Sequence, residues 1–457
     1  MKQEGILKFI IPLLAALGAW YFARAYLQTP DLTALFLLGA VLLGITMAKP
    51  LYGIIIYLVY LPFLGESSGL SVQEFIALGI IVLLCVLWFI SRSKKWSQVL
   101  EINRIERSLV ILFLYLLFSL LVGAFNGVTF VDWGRDMFPL LHLALILPVV
   151  HFINNERDFQ LVFTVFVIAL AVPIIEWFLG SLIQAGLLSY LKIFWLQGTP
   201  FAMYILIILG IVSFVEYRKV IPLYFIPAIS AVGVALLNHP RTVWVGTSIS
   251  MLVIFFLTQN KIRWLGIILV GILSIFIFLS FLAAENPAFF GQQMHWVNTL
   301  SNLGGDLSWQ SRLAEGAQTF GIFYQHPIFG VGLGYQYHFW RPFIHGIGPG
   351  YMDTNMTHSD STNYLAKTGL VGVLMLIFFF YNAVYLGIKF YNQSADRQSR
   401  MVYLLGACSV IVALIVANST PILQIRYNAS ALAFVIAFIF ARKKLEQQKE
   451  EEQEPPN

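Results

Sequence analysis

Charge is what this sequence has least of. Only 11% of its 457 residues are charged, 59% are hydrophobic, and the mean hydropathy is +0.79. A soluble domain of this length needs far more charge, so the composition excludes one. Cysteine is nearly absent: Cys85 and Cys408 both lie inside apolar runs. They give no disulfide framework and no zinc-ligand spacing, and read as core thiols. There is no GxxxxGK[ST] loop and no DxD-like metal site in a loop, and "GVGLG" at 330–334 is too short for a nucleotide fingerprint. These absences leave no sign of ATP, a nucleotide sugar, nucleic acid or a metal as a partner, and no cofactor is expected. Alternating ten-residue segments are missing too, which excludes a membrane β-barrel.

What the sequence does have is repeated apolar runs of bilayer-spanning length. The runs fall at about 7–27, 33–48, 51–64, 73–91, 108–124, 136–153, 159–180, 200–216, 222–237, 243–258, 264–284, 363–388, 401–417 and 428–441. Merging short neighbours gives about 12–14 spans and an all-α, polytopic integral membrane protein. The first run has no small-residue cleavage site after it and reads as a retained helix.

The loops alternate in charge. One set holds "SRSKKW", "YRK", "KIR", "KFYNQSADRQSR" and the tail beginning "RKK". The opposite set holds only Arg135, Lys192, Arg241, Arg312, Arg341, Lys367 and Arg426 of the 28 lysines and arginines, with Arg24 near the outer end of the first span. The positive-inside rule then places both termini in the cytoplasm. The expected organisation is 1–284 transmembrane, 285–362 a large external loop, 363–441 transmembrane and 442–457 a cytoplasmic tail. The loop is too aromatic and too poor in charge for disorder, and is expected to be a partly helical cap. Residues 307–324 carry an amphipathic helix pattern that "HPIFGVGLG" at 326–334 must end. The stretch 181–199 reads as an interfacial helix anchored by Trp195 and Lys192.

Several polar residues on the outer side need a reason. Arg241 sits in "LNHPRTVWVG", a very short loop where the positive-inside bias disfavours arginine. Arg312 lies on the cap helix, where a surface ion pair with Glu315 is its bland explanation. Arg135 and Arg426 lie near span ends. His358 opens "HSDSTNYLAKTGLVG" at the mouth of a span, where an imidazole can take a proton from a hydroxyl, with Asp360 or Asp353 to orient it. Arginine forks match phosphate oxygens and keep their charge. The set suits a lipid-linked diphosphate at a membrane surface.

The pattern resembles the bacterial O-antigen ligases and the related O-antigen and capsule polymerases. His358-Ser359, nine residues and Gly369-Leu-Val-Gly372 fit the ligase motif, and "SRLAEGAQTFGIFYQHPIFGVGLG" resembles the family's loop segment. Arg241 falls where that family has an arginine at the outer mouth of a mid-chain span. The resemblance spans roughly 235–390. It implies a GT-C-like, metal-independent, inverting glycosyltransferase of the bacterial inner membrane, working on its outer face. The donor would be an undecaprenyl-diphosphate-linked glycan, and the acceptor lipid A-core or another anchor. A polymerase of the same family would use a second lipid-linked repeat as acceptor. By the resemblance, Arg241 and Arg312 hold the diphosphate and His358 activates the acceptor hydroxyl, with Arg135, Asp360 and Arg426 as supporting residues. A lipid or polysaccharide transporter is the competing class, but it should show related halves and mid-span charges, and neither is found.

Overall fold

The structure is a computed structural model and describes residues 30–64, 72–93, 104–184, 199–238, 241–258, 261, 265–266, 307–344 and 348–453. The expected run at 7–27, most of those at 181–199 and 264–284, and residues 285–306 lie outside the described residues. In chain order the helices are α1 (Pro30–Ala48), α2 (Pro50–Tyr60), α3 (Val72–Ser93), α4 (Arg104–Phe125), α5 (Phe130–Leu141), α6 (Ile146–Phe152), α7 (Glu156–Gln184), α8 (Pro200–Tyr217), α9 (Pro222–Asn238) and α10 (Arg241–Leu257). Then come α11 (Leu307–Gln325), strands β1 (Tyr337–Ile344) and β2 (Gly348–Thr354), and α12 (Asp360–Gln393), α13 (Arg397–Val416) and α14 (Arg426–Gln453). Among the described residues, seven helical segments are long and apolar enough to cross a membrane. The protein is an all-α polytopic membrane protein, with one small hairpin among the described residues.

Local signals set the helix starts. Thr129, Thr199, Ser359 and Asp396 each accept a backbone N–H three residues on, so each N-terminus has one orphan donor satisfied. Burial sorts the spans. α8 and α13 are 78% buried over their spanning windows and form the centre, whereas the corresponding window of α3 is only 28% buried. On α12, Leu370, Leu374, Ile377, Phe378, Tyr381 and Tyr385 are exposed at helical spacing, the stripe expected to meet lipid. At the end of the bundle where α14 continues past its apolar part, Arg442 joins Glu156 (2.6 Å) and Asp396 (2.8 Å), and Lys444 donates to the carbonyls of Val150, His151 and Ile153, which close α6.

At the other end the cap is built on a broken helix. Gly369 has φ 62° and ψ −170°, so α12 is interrupted nine residues after Asp360 rather than running on as one span. The loop after α11 fills the break. Val331 and Gly332 donate to the carbonyls of Ala366 and Lys367 (3.0 and 2.8 Å), and Leu370 and Val371 donate to those of Pro327 and Ile328 (2.9 and 3.2 Å). Tyr115 takes the Thr368 carbonyl through its hydroxyl. Broken backbone survives at membrane depth only when protein satisfies it, and here the glycine loop does. A Cβ at 369 would overlap the Ile328 carbonyl, and one at Gly330 would overlap the Lys367 backbone. Gly369→Ala is therefore expected to cost about 2–3 kcal/mol, from the positive φ and the overlap together. Thermal denaturation in detergent measures it, and an unchanged midpoint would show that the break is not required.

The same loop is pinned by a buried ion pair. Lys367 is 1% exposed and meets Asp136 and the Asn355 carbonyl. Asp136 also accepts the Gly334 N–H (2.7 Å) and the Asn355 amide (3.0 Å). One carboxylate thus ties α5, the glycine loop and α12 together.

The cap is partly helical, but it also holds a two-stranded antiparallel hairpin that sequence reasoning did not foresee. Tyr337 pairs with Thr354 and Arg341 with Gly350, and the register shifts between Arg341 and Ile344, where Pro342 cannot donate. Tyr337 and Phe339 are buried beneath it, stacked at 4.7 Å.

Candidate active site

Helix α11 presents Ser311, Glu315 and Thr319 at four-residue spacing on its buried face. Arg312 lies beside that face and donates from Nη1 to the Ser419 carbonyl (3.1 Å), just past the end of α13. A helix C-terminus is a favourable place for a cation.

His358 sits in the short link between β2 and α12. The chain on both sides of it is fastened to the turn between α13 and α14, through Thr357 and Asp360. Thr357 donates its N–H to Gln424 Oε1 (3.1 Å), and the Gln424 amide returns to the Thr357 carbonyl (3.2 Å). Asp360 accepts the N–H groups of Ile422 (2.6 Å) and Leu423 (2.7 Å) and the Gln424 amide (2.8 Å). The backbone on either side of the imidazole is therefore fixed without help from the ring.

The ring itself is oriented by Glu315. His358 Nδ1 lies 2.9 Å from Glu315 Oε2, and the His358 backbone N–H reaches the same oxygen at 3.1 Å. Arg341 of β1 pairs with the other carboxylate oxygen. Glu315 is 2% exposed, while His358 is 45% exposed. Burial alone would raise the Glu315 carboxyl. The hydrogen bonds from His358 and the charge of the Arg341 guanidinium outweigh it and hold the carboxyl below the usual carboxylate range. With a lowered folded value, Glu315 supports this arrangement at all pH values above about 4.5 and loses it only as pH falls through that lowered value.

Arg312, Glu315 and His358 line one cavity of about 640 Å³. Its apolar wall comes from Trp309, Leu313, Ala317, Phe320 and Tyr324 on α11, while Thr357, Ser359, Thr362, Asn418 and Ser419 add polar groups. With Nδ1 facing Glu315, Nε2 is the ring nitrogen left for the cavity, a tautomer assigned from this hydrogen bond. The cavity thus combines a fixed cation, an oriented imidazole and an apolar flank, which suits an anionic headgroup on a lipid tail.

The other residues singled out from sequence lie elsewhere. Asp360 does not orient His358, because α12 begins there and turns its carboxylate onto the 422–424 backbone. Asp353 is paired with His338 instead (2.6 Å). Glu315, read as a partner for Arg312, serves Arg341 and His358. Arg135 pairs with Asp132 (3.2 Å) beside the Lys367–Asp136 cluster. Arg426 pairs with Glu74 in the interior and lies over the Phe138 ring at 5.3 Å. None of Arg135, Asp360 and Arg426 lines the cavity. Arg241 is the first residue of α10, and its side chain lies outside the described residues. Glu315, Arg341 and Gln424 escaped the sequence reading as site residues. The i, i+4, i+8 polar row on α11 was the available signal for Glu315.

Comparison of the whole chain with curated proteins finds no match. Residues 226–377 match the family model Wzy_C, O-antigen ligase. That stretch runs from α9 through the cap and past the Gly369 break, and so contains Arg312, Glu315, Arg341 and His358. Over that stretch the chain is similar to the O-antigen ligases.

Proposed function

We infer that this cavity transfers a glycan from a lipid diphosphate carrier, undecaprenyl diphosphate by resemblance to the family, to an acceptor hydroxyl. The observation that carries the reading is the convergence of Arg312 and His358 on one amphipathic cavity, with Glu315 fixing the imidazole. Arg312 binds the diphosphate, joined by Arg241 as the resemblance implies. His358 Nε2 takes the acceptor proton as the hydroxyl oxygen attacks the anomeric carbon. The bond from that carbon to the phosphate oxygen breaks, and the carrier diphosphate leaves with the electron pair. A single displacement of this kind inverts the anomeric centre. Guanidinium groups take the place that a metal occupies in other phosphate-leaving reactions. A ligase and a polymerase share this chemistry and differ in acceptor alone. The positive-inside pattern supports a bacterial inner-membrane location with both termini in the cytoplasm and the cap on the outer face.

Proteoliposomes holding the purified chain, lipid-diphosphate-linked glycan and an acceptor test the reading. One carrier diphosphate is expected to be released per glycosidic bond formed, without ATP or nucleotide sugar. Transfer is expected to survive EDTA. Loss of transfer on chelation with recovery on Mg²⁺ or Mn²⁺, or transfer without diphosphate release, would contradict it.

A further inference from the structure

The outward face of the cap hairpin gathers aromatic rings and a carboxylate. Trp340 and Tyr351 are directly opposed across the two strands and are 42% and 65% exposed. His338 stacks on Tyr351 with ring centroids 4.8 Å apart and planes 5° from parallel. His338 also holds Asp353 at 2.6 Å, and both side chains are largely exposed, at 67% and 74%. The face is therefore a row of flat rings edged by an open carboxylate.

It is also rigid. Gln318 of α11 accepts the Trp340 N–H (2.9 Å) and donates to the Trp340 carbonyl (2.8 Å). The next residue, Arg341, holds Glu315 on the opposite face of the same strand. One strand thus supports the cavity on its inner side and displays the rings on its outer side.

We propose that His338, Trp340, Tyr351 and Asp353 form a second glycan-binding site, which holds sugar units distant from the reacting end. This rests on the glycan-transfer reading and extends it to where the rest of the chain lies. Sugar rings present slightly positive C–H faces, which match the negative faces of aromatic rings. Their hydroxyls are donors that a carboxylate accepts with charge assistance. A lipid occupant fits less well, because an exposed carboxylate is costly against acyl chains and is repelled by anionic headgroups. Arg341 of the same strand holds Glu315, which lines the cavity, so one strand joins the rings to the reacting end.

The test uses the full chain in nanodiscs in a His358→Ala background, where binding is read without transfer. The probe is oligosaccharide released by mild acid from the host's own lipid-linked glycan, with Kd from saturation-transfer NMR. The background variant is expected to bind it. Trp340→Ala with Tyr351→Ala should weaken binding about tenfold or more. Trp340→Phe with Tyr351→Phe should stay within about threefold, since the ring faces remain. Asp353→Asn, at an exposed position where the amide oxygen can still accept from His338, should weaken binding about tenfold. An unchanged Kd in both the alanine pair and Asp353→Asn overturns the proposal. So does a spin label at Tyr351→Cys that is reached by oxygen and shielded from an aqueous nickel complex, which would place the face in lipid. If the released glycan fails to bind at all, this site falls while the transfer reading stands. If it binds at these residues but proteoliposomes show no transfer, the transfer reading falls and this site stands.

Discussion

His358→Ala is expected to lower glycan transfer by about 10²–10⁴-fold, the usual cost of losing a positioned base. The geometry explains why expression and membrane insertion should stay normal. The ring is half-exposed, and the backbone around it is held by the Thr357–Gln424 and Asp360 contacts, none of which uses the imidazole. Glu315 loses one partner but keeps Arg341 and the His358 backbone N–H. The buried carboxylate is therefore never left alone, which is the condition that makes such truncations unfold proteins. Transfer assays on equal amounts of reconstituted protein, with size-exclusion profiles as the folding control, check this. Wild-type turnover in a well-folded variant would reduce His358 to a structural residue.

Arg312→Lys is expected to be nearly as damaging as Arg312→Ala. A guanidinium can bind the Ser419 carbonyl with one arm and set the plane of its fork toward the cavity. An ammonium keeps the charge but not the fork, so it cannot answer both the carbonyl and a pair of phosphate oxygens in one fixed geometry. Each lost charge-assisted contact costs about 1.5–3 kcal/mol, or about 10–150-fold in donor binding. The loss should appear in the donor Kd of both variants. Near-normal donor binding by the lysine variant would show that Arg312 only closes the end of α13.

The membrane architecture was legible because apolar runs of spanning length are a strong and local signal. The cap helix was legible for the same reason: its apolar period runs unbroken from Leu307 until Pro327 and the glycines stop it. The break in α12 was not. Gly369 stood in the sequence as a motif position, and what approaches it is the Pro327–Gly332 backbone, some 40 residues earlier in the chain. Hydropathy cannot report hydrogen bonds between two such segments. The hairpin left a trace in the alternation of Tyr337 and Phe339 with His338 and Trp340, but Pro342 and the glycines of β2 cut it short. At the site, Arg312 and His358 were legible by residue type and position. The orienting carboxylate was not, because Asp360 is the nearer acid in sequence and Glu315 the nearer in space. Arg135 and Arg426 show the limit of counting outer-side arginines: both were satisfied by acids, Asp132 and Glu74, whose pairing only the fold reveals.

The most direct measurement is an experimental structure of the His358→Ala protein in nanodiscs with its lipid-diphosphate-linked glycan bound. Diphosphate density is expected within hydrogen-bond distance of the Arg312 guanidinium, with the lipid tail along the apolar side of α11 and the anomeric carbon facing the space vacated by the imidazole. Diphosphate bound away from this cavity, with Arg312 still engaged only by the protein, would contradict it.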